Sequence, residues 1–286
     1  MNDNNDSYAE TAHHLQKLEP TMSNNPPLQV LLFDVFGTTL SWRDAVTRSL
    51  QEAATKALNE SRESLSPDER KRASAMTYQD WLAIAEEWRG AYNHFTHNFD
   101  PSAGFVLVDQ HHYESLCNIL QRRSLGGIFT DGEKRELALS WHRLDAWPDT
   151  VQGLALLSSK FKTCTLSNGN VSLLEDLVRH ASLPFTDIAS AEHFGAYKPS
   201  PKVYLGAAGR FGMQPNQCAM VAAHLNDLKA AKALGFQTIY VERPREETQD
   251  PEQARREGYV DLWIGEDFTG FVEVAKQLGV PVTGEL

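Results

Sequence analysis

The chain has 286 residues with a 41% hydrophobic fraction, enough for one large domain or for a core carrying an insert. Lys and Arg number 27 against 38 Asp and Glu, and the net charge of -11 excludes nucleic acid and anionic membranes as partners while leaving room for a small anionic substrate in a locally positive pocket. Cys117, Cys164 and Cys218 are scattered without a CxxC pair, which excludes a disulfide framework or zinc site and fits a reducing, cytoplasmic setting.

Residues 1–26 open with MNDNNDSYAETAHHLQ, which is polar, lacks the apolar stretch of a signal peptide, and reads as a flexible tail. No later run approaches the ~18 apolar residues of a membrane span. QVLLF (29–33) is the first run of strand formers, and similar runs follow at KTCTLS (162–167), CAMVAA (218–223), QTIYVE (237–242) and DLWIG (261–265). Between them, Val171–His180, Pro201–Phe211, Asp227–Leu234 and Phe268–Leu278 have helical spacing. Strands alternating with helices predict an α/β fold, a doubly wound parallel sheet with helices on both faces.

That alternation stops between Ser41 and Asp145. RDAVTRSLQEAATKAL, YQDWLAIAEEWRGAYNHF, DQHHYESLCNILQRR and GEKRELALSWHRL are helical in period, with no strand run among them. The reading is a helical cap over 41–145, set between core segments 27–40 and 146–286. It leaves the core at the carboxyl end of the first strand, where open α/β sheets bind ligands, so it is placed as a lid. In WPDT (147–150), Pro148 punctuates the return and Asp149 or Thr150 is expected to cap the next helix.

Short polar segments close these strands or open these helices: Asp34 with Gly37 and Thr38, Ser167-Asn168-Gly169-Asn170, Lys198 in YKPSPKVY, and Asp227 in VAAHLNDLKAA. Each alone has an ordinary explanation as a cap, a turn or chance. In a doubly wound fold all of them meet at one sheet edge. There they supply a carboxylate, hydroxyl and amide donors, an ammonium and a second carboxylate. The conjunction is the signal.

With these residues in this order, the chain resembles the haloacid dehalogenase superfamily, and within it the L-2-haloacid dehalogenases. The likeness runs from about Gln29 to Leu278 and includes LSNGN, YKP, RLDAWPD and the helical insert. It implies a Rossmann-like core with a cap inserted after the first strand. Phosphatases of the superfamily carry a second Asp two residues after the first, and a GDxxxD motif later. Here Phe36 and Ala223 occupy two of those acid positions, while Asp227 keeps the last. Halide is a good leaving group that needs neither a general acid nor a metal, so the missing acids imply dehalogenation with no cofactor.

By the same resemblance, Asp34 is the nucleophile that forms an ester with the substrate α-carbon. Lys198 holds it ionised. Thr38, Ser167 and Asn168 donate hydrogen bonds to the nucleophile or to the substrate carboxylate. Arg89 meets the departing halide, Tyr204 lines the site, and Asp227 fixes Lys198 and positions the water that opens the ester. Phe36 and Trp42 are expected to border the substrate. The implied substrate is a short 2-haloalkanoic acid, released as the 2-hydroxy acid and halide, and family members are often homodimers. The rivals are a phosphatase of the same fold and a non-catalytic, anion-binding relative.

The dehalogenase pattern SSNxxD is broken at Ala222 and His224. A neutral His224 beside Asp227 would accept a proton from the attacking water, where an asparagine only orients it. Other conspicuous residues take ordinary readings. His94 and His97 lack a third ligand and mark a solvated helix face, His111 and His112 are placed on the surface, and Arg43 is taken as a surface residue. Trp81, Trp88 and Trp141 are read as packing.

Overall fold

The computed structural model describes residues 27–282 except 64, 101, 103, 267 and 268, so the expected tail over 1–26 lies outside the described residues. β1 (Val30–Phe33) is entirely apolar and buried, as a central parallel strand covered on both faces must be. It pairs in parallel with β4 (Lys162–Ser167) on one side and β6 (Cys218–Ala222) on the other. β5 (Asp187–Ser190) extends the sheet beyond β4, while β7 (Gln237–Val241) and β8 (Leu262–Ile264) extend it beyond β6. The order β5-β4-β1-β6-β7-β8 therefore reverses direction at β1, which makes the carboxyl ends of β1, β4 and β6 the switch-point crevice.

β5 is the strand that its sequence hid: DIAS is short and half polar, with no apolar run to mark it. The helices of the core are α6 (Thr150–Ser158), α7 (Val171–His180), α8 (Pro201–Arg210), α9 (Leu225–Ala233), α10 (Pro251–Glu257) and α11 (Gly270–Gln277). Asp149 precedes α6 but makes no side-chain cap bond. Its carboxylate instead takes both guanidinium arms of Arg243, at 2.6 and 2.9 Å, and the Phe271 N–H at 2.7 Å.

After β1 the chain turns through Asp34–Thr39 into β2 (Leu40–Ser41), which pairs antiparallel with β3 (Asp145–Ala146). Between those two short strands lie α1 (Arg43–Asn59), α2 (Pro67–Ser74), α3 (Tyr78–His97), α4 (Val108–Arg122) and α5 (Asp131–Ala138). Ser66 with Glu69, Thr77 with Asp80, and Thr130 with Glu133 form reciprocal capping boxes that start α2, α3 and α5. On α3, Trp81, Ile84, Ala85, Trp88 and Tyr92 bury one stripe against the core. Arg89 sits beside that stripe and is carried toward the crevice.

Trp141 stacks on Trp42 at 5.7 Å and meets Trp88 edge-on at 5.5 Å, so Trp88 and Trp141 are packing, as their sequence setting suggested. His112 is a correction. It is 1% exposed and stacks on Trp141 at 4.8 Å, because its helical position falls on the buried face of α4 and not in solvent. No helix among the described residues is long and apolar enough to cross a membrane.

Candidate active site

The register that pairs Phe33 with both Thr165 and Val221 brings Asp34, Ser167–Asn168 and Ala223–His224 out side by side at the sheet edge. Asp34 follows the last residue of β1 with its N–H donated to Val221 at 3.0 Å. Gly37 then takes φ of 85°, the left-handed conformation that lets the loop double back. Thr39 ties the loop down by donating its hydroxyl to the Asp34 carbonyl at 2.7 Å. From the core side, Arg243 Nε donates to the Thr38 carbonyl at 3.0 Å, Trp147 Nε1 to the Gly37 carbonyl at 3.1 Å, and Thr150 to the Thr39 carbonyl at 3.0 Å. The Asp34 loop is held by groups from three separate parts of the chain. A reacting carboxylate needs that rigidity.

Both carboxylate oxygens of Asp34 are engaged. Oδ1 accepts from Lys198 Nζ at 2.9 Å, and Oδ2 accepts from the Thr38 hydroxyl at 2.8 Å. Thr38 is aimed by the Ala223 N–H, which donates to its oxygen at 2.9 Å. The Lys198 ammonium also donates to Asp227 Oδ2 at 2.6 Å, and the Tyr204 hydroxyl donates to Asp227 Oδ1. Burial alone would raise the pKa of Asp34, but the Lys198 ammonium and the His224 imidazole hold it well below the ordinary carboxylate range. Burial opposes the charge on Lys198, and its two carboxylate neighbours outweigh it and push its pKa up. Asp227 moves the other way, raised by burial and by the nearby Asp34. At neutral pH the pocket therefore holds an ionised Asp34 against a charged Lys198.

Asn168 accepts the Lys198 N–H at 2.7 Å and donates to the Lys198 carbonyl at 3.3 Å, so it fixes the lysine backbone instead of reaching Asp34. Ser167 is fully buried, and its hydrogen bond is the one accepted from the Gly169 N–H at 3.2 Å. The expectation that Ser167 and Asn168 donate to the nucleophile is thus corrected for Asp34. Ser167 points into the turn before α7, and the Asn168 amide engages the backbone of Lys198 in the loop before α8. Phe36 is also corrected: it is 2% exposed and off the cavity wall, packed edge-on against Trp141 at 6.2 Å.

Above the Asp34 carboxylate lies a cavity of about 280 Å³ whose wall includes Asp34, Trp42, Arg89, Asn168, Lys198 and His224. Half-buried Arg89 comes from α3, with its guanidinium 4.6 Å from the Tyr92 ring centre and one arm 3.4 Å from the Phe36 carbonyl. No carboxylate pairs with it among the described residues, so its charge is free to meet an anion.

A divalent cation of the kind that superfamily phosphatases use would need carboxylates converging on one point. The Lys198 ammonium already lies between Asp34 and Asp227, and the side chains of Phe36 and Ala223 offer no oxygen. Among the described residues no three His, Cys, Asp or Glu side chains are arranged to hold a metal, and the donor set does not fit one.

The model of the haloacid dehalogenase-like hydrolase family matches residues 28–235. The chain belongs to that family. This hydrolase is 29% identical over 220 residues to (S)-2-haloacid dehalogenase 1 of Pseudomonas sp. (strain CBS-3), a match covering 76% of this chain and 86% of that relative. Two solved structures, the defluorinating L-2-haloacid dehalogenase Rha0230 and the L-2-haloacid dehalogenase PA0810, are each 30% identical with a TM-score of 0.72. Those matches cover 88% of this chain and 95% and 100% of theirs. Phosphatases match over shorter stretches, such as phosphoglycolate phosphatase of Nitrosospira multiformis at 32% over 99 residues, 34% of this chain and 44% of that one.

The hydrolase departs from its sequence reading at His224. The imidazole does not stand beside Asp227. Its Nδ1 is 3.0 Å from Asp34 Oδ2, and its Nε2 is 3.5 Å from Glu246 Oε2. Glu246 also accepts from Trp42 Nε1 at 3.3 Å and pairs with Arg43. Arg43 is therefore part of the cavity wall, with its guanidinium 4.5 Å over Trp42, and not the surface residue expected. Glu246 and Arg243 were missed. Their signal was RPREE (243–247) directly after the predicted strand QTIYVE, the same strand-end polar pattern that marked the other segments.

Proposed function

We propose that this hydrolase displaces halide from short 2-haloalkanoic acids by in-line attack of Asp34 on the α-carbon, without a metal. The halide leaves with its bonding electrons and an aspartyl ester forms. Water then adds to the Asp34 carbonyl carbon, and the ester oxygen departs in the 2-hydroxy acid. The observation that carries the reading is the Lys198 ammonium lodged 2.9 Å from Asp34 and 2.6 Å from Asp227, where a phosphatase would need a cation-binding cluster of acids. That ammonium keeps Asp34 anionic and fixes its direction. Arg89 supplies a positive charge for the anion that forms as the carbon–halogen bond breaks. The relatives named as 2-haloacid dehalogenases over most of their length support the substrate class. The helices over 41–145 serve as the lid that carries Arg89, and the unpaired Cys117, Cys164 and Cys218 suit work in the cytoplasm.

Phosphate-ester hydrolysis is the second reading, favoured by the shorter phosphatase matches. One comparison separates the two: halide release from a panel of 2-halo acids beside phosphate release from a generic phosphate ester, followed by a single turnover in ¹⁸O-labelled water. The dehalogenase reading expects halide, unlabelled hydroxy acid, and label in the Asp34 carboxylate. Label in the first product would mean that water attacks the substrate carbon directly. Phosphate release without halide release would replace the reading altogether.

A further inference from the structure

His224 is set between two acids that come from opposite ends of the crevice. Asp34, at the end of β1, faces Nδ1 at 3.0 Å, and Glu246, in the loop after β7, faces Nε2 at 3.5 Å. Glu246 has only 4% of its side chain exposed and is held by Trp42 and Arg43. It also lies flat against Gly37, where a Cβ would overlap its carboxylate, so that glycine serves both the turn and the approach of this acid. Arg89 also faces the imidazole and opposes its protonation, Arg43 reaches the cluster through its ion pair with Glu246, and Lys198 lies on the far oxygen of Asp34. Burial disfavours the charged ring, yet the bonds to Asp34 and Glu246 outweigh it and raise its pKa to about 9. In the free enzyme at neutral pH, His224 is an imidazolium ion paired with the nucleophile.

Position decides what such a group does. In-line displacement sends the halide away from the attacking oxygen, whereas His224 touches the attacking carboxylate itself. It is therefore remote from the leaving group and adjacent to the ester that forms. Asp227 is poorly placed as a base, because its oxygens are taken by the Lys198 ammonium and the Tyr204 hydroxyl. We infer, resting on the ester-forming reading above, that His224 is the base for opening the Asp34 ester, that Glu246 is its positioning residue, and that alkylation of Asp34 is what switches the base on.

The proton balance follows the geometry. While Asp34 is an anion, the Nδ1 proton is held and the ring cannot act as a base. Alkylation converts that anion into a neutral ester, and the Nδ1 proton leaves to solvent, matching the halide released. Glu246 keeps the other proton on Nε2, so the bare Nδ1 lone pair faces the ester. Water gives its proton to Nδ1 as its oxygen bonds to the Asp34 carbonyl carbon. The tetrahedral intermediate expels the substrate oxygen, which takes the proton from Nδ1 and leaves as the 2-hydroxy acid. The new Asp34 carboxylic acid returns its proton to His224, restoring the ion pair. The sum is haloacid plus water giving hydroxy acid, halide and one proton.

The test is quenched single-turnover mass measurement of the Asp34 ester with 2-chloropropionate, from pH 5 to 9, in the wild type, His224→Asn and Glu246→Gln. In the wild type, ester decay should slow as pH falls while halide release changes less, so ester accumulates in acid. His224→Asn should still release a first equivalent of halide, which also reports that it folds, and its ester should decay about 100-fold more slowly with little pH dependence, the lower range for lost proton transfer. Glu246→Gln should keep a pH-dependent decay with its midpoint moved to lower pH, because one anion that favours the imidazolium is gone. Ester decay in His224→Asn matching the wild type in rate and pH profile overturns the role of His224. An unmoved midpoint in Glu246→Gln overturns that of Glu246. Halide release from the wild type with no Asp34 ester at any pH would instead overturn the ester reading, and the inference with it.

Discussion

Replacing Lys198 with Met tests whether one ammonium holds the pocket together. The side chain is buried and lies 2.9 Å from Asp34 and 2.6 Å from Asp227. At an effective dielectric of ~20, each contact is worth roughly 6 kcal/mol of gross attraction. Burying three charged groups cancels much of that attraction. What the substitution exposes is the remainder: two enclosed carboxylates with their shared cation gone, a loss of roughly 3–5 kcal/mol. Lys198→Met should therefore lower the unfolding free energy measured by urea denaturation at pH 7.5 by that amount and abolish halide release. Adding Asp227→Asn removes one of the stranded charges and should recover at least half of the stability, with no recovery of activity, because Asp34 Oδ1 still lacks the ammonium that fixes its direction. Acidification should also narrow the gap between Lys198→Met and the wild type. The variant gains as its stranded carboxylates protonate, while the depressed pKa of Asp34 makes the wild type lose stability as pH falls. A double variant no more stable than the single one would refute the charge-balance account.

Arg89→Ala should reduce kcat/KM for halide release by ~10²–10³, about 2.7–4 kcal/mol, as expected for loss of a charged donor at a developing anion. Arg48→Ala is the control, since Arg48 is over half exposed and pairs with exposed Asp44, so a change under about twofold is expected; equal effects from the two would remove Arg89 from the site. Halide release should be unaffected by excess EDTA, and inhibition reversed by Mg²⁺ would end the metal-free mechanism. His142, buried between Asp109 at 3.0 Å and Asp176 at 2.8 Å, joins α4 to α7. Burial lowers its pKa, but the two carboxylates outweigh that and raise it, so its contribution is full below its unfolded value of about 6.5 and is lost as pH rises through the folded one. His142→Asn should cost roughly 1.5–3 kcal/mol in urea denaturation at pH 6 and less at pH 9; an equal cost at both would show that the charge contributes nothing.

Much of this protein is written locally. VLLF and CAMVA are buried in a parallel sheet on both faces and read as near-continuous apolar runs, while KTCTLS and QTIYV are marked by their β-branched and aromatic strand formers. The helical stretches of the insert announce themselves by period, and α3 by its Thr77–Asp80 capping box as well. Asp34, Lys198 and Asp227 are legible because each follows or precedes such an element with a polar residue that the element does not require. The strand DIAS and the buried face of His112 were illegible, because their burial comes from the neighbours they pack on.

What tertiary structure alone decided is which polar group meets which. Nothing local tells His224 to prefer Asp34, 190 residues away, over Asp227, three residues on. The choice is made by the loop before α9, which turns the ring toward the β1 terminus, and by Glu246 arriving from beyond β7 to hold its other nitrogen. Ser167 and Asn168 show the same limit: their residue types suit donation to a nucleophile, yet the loops after β4 and before α8 pair them with Gly169 and Lys198. A side chain's chemistry is fixed by its covalent structure. Its protonation state and its partner are set by the field and contacts of distant segments, and those exist only once the sheet has formed.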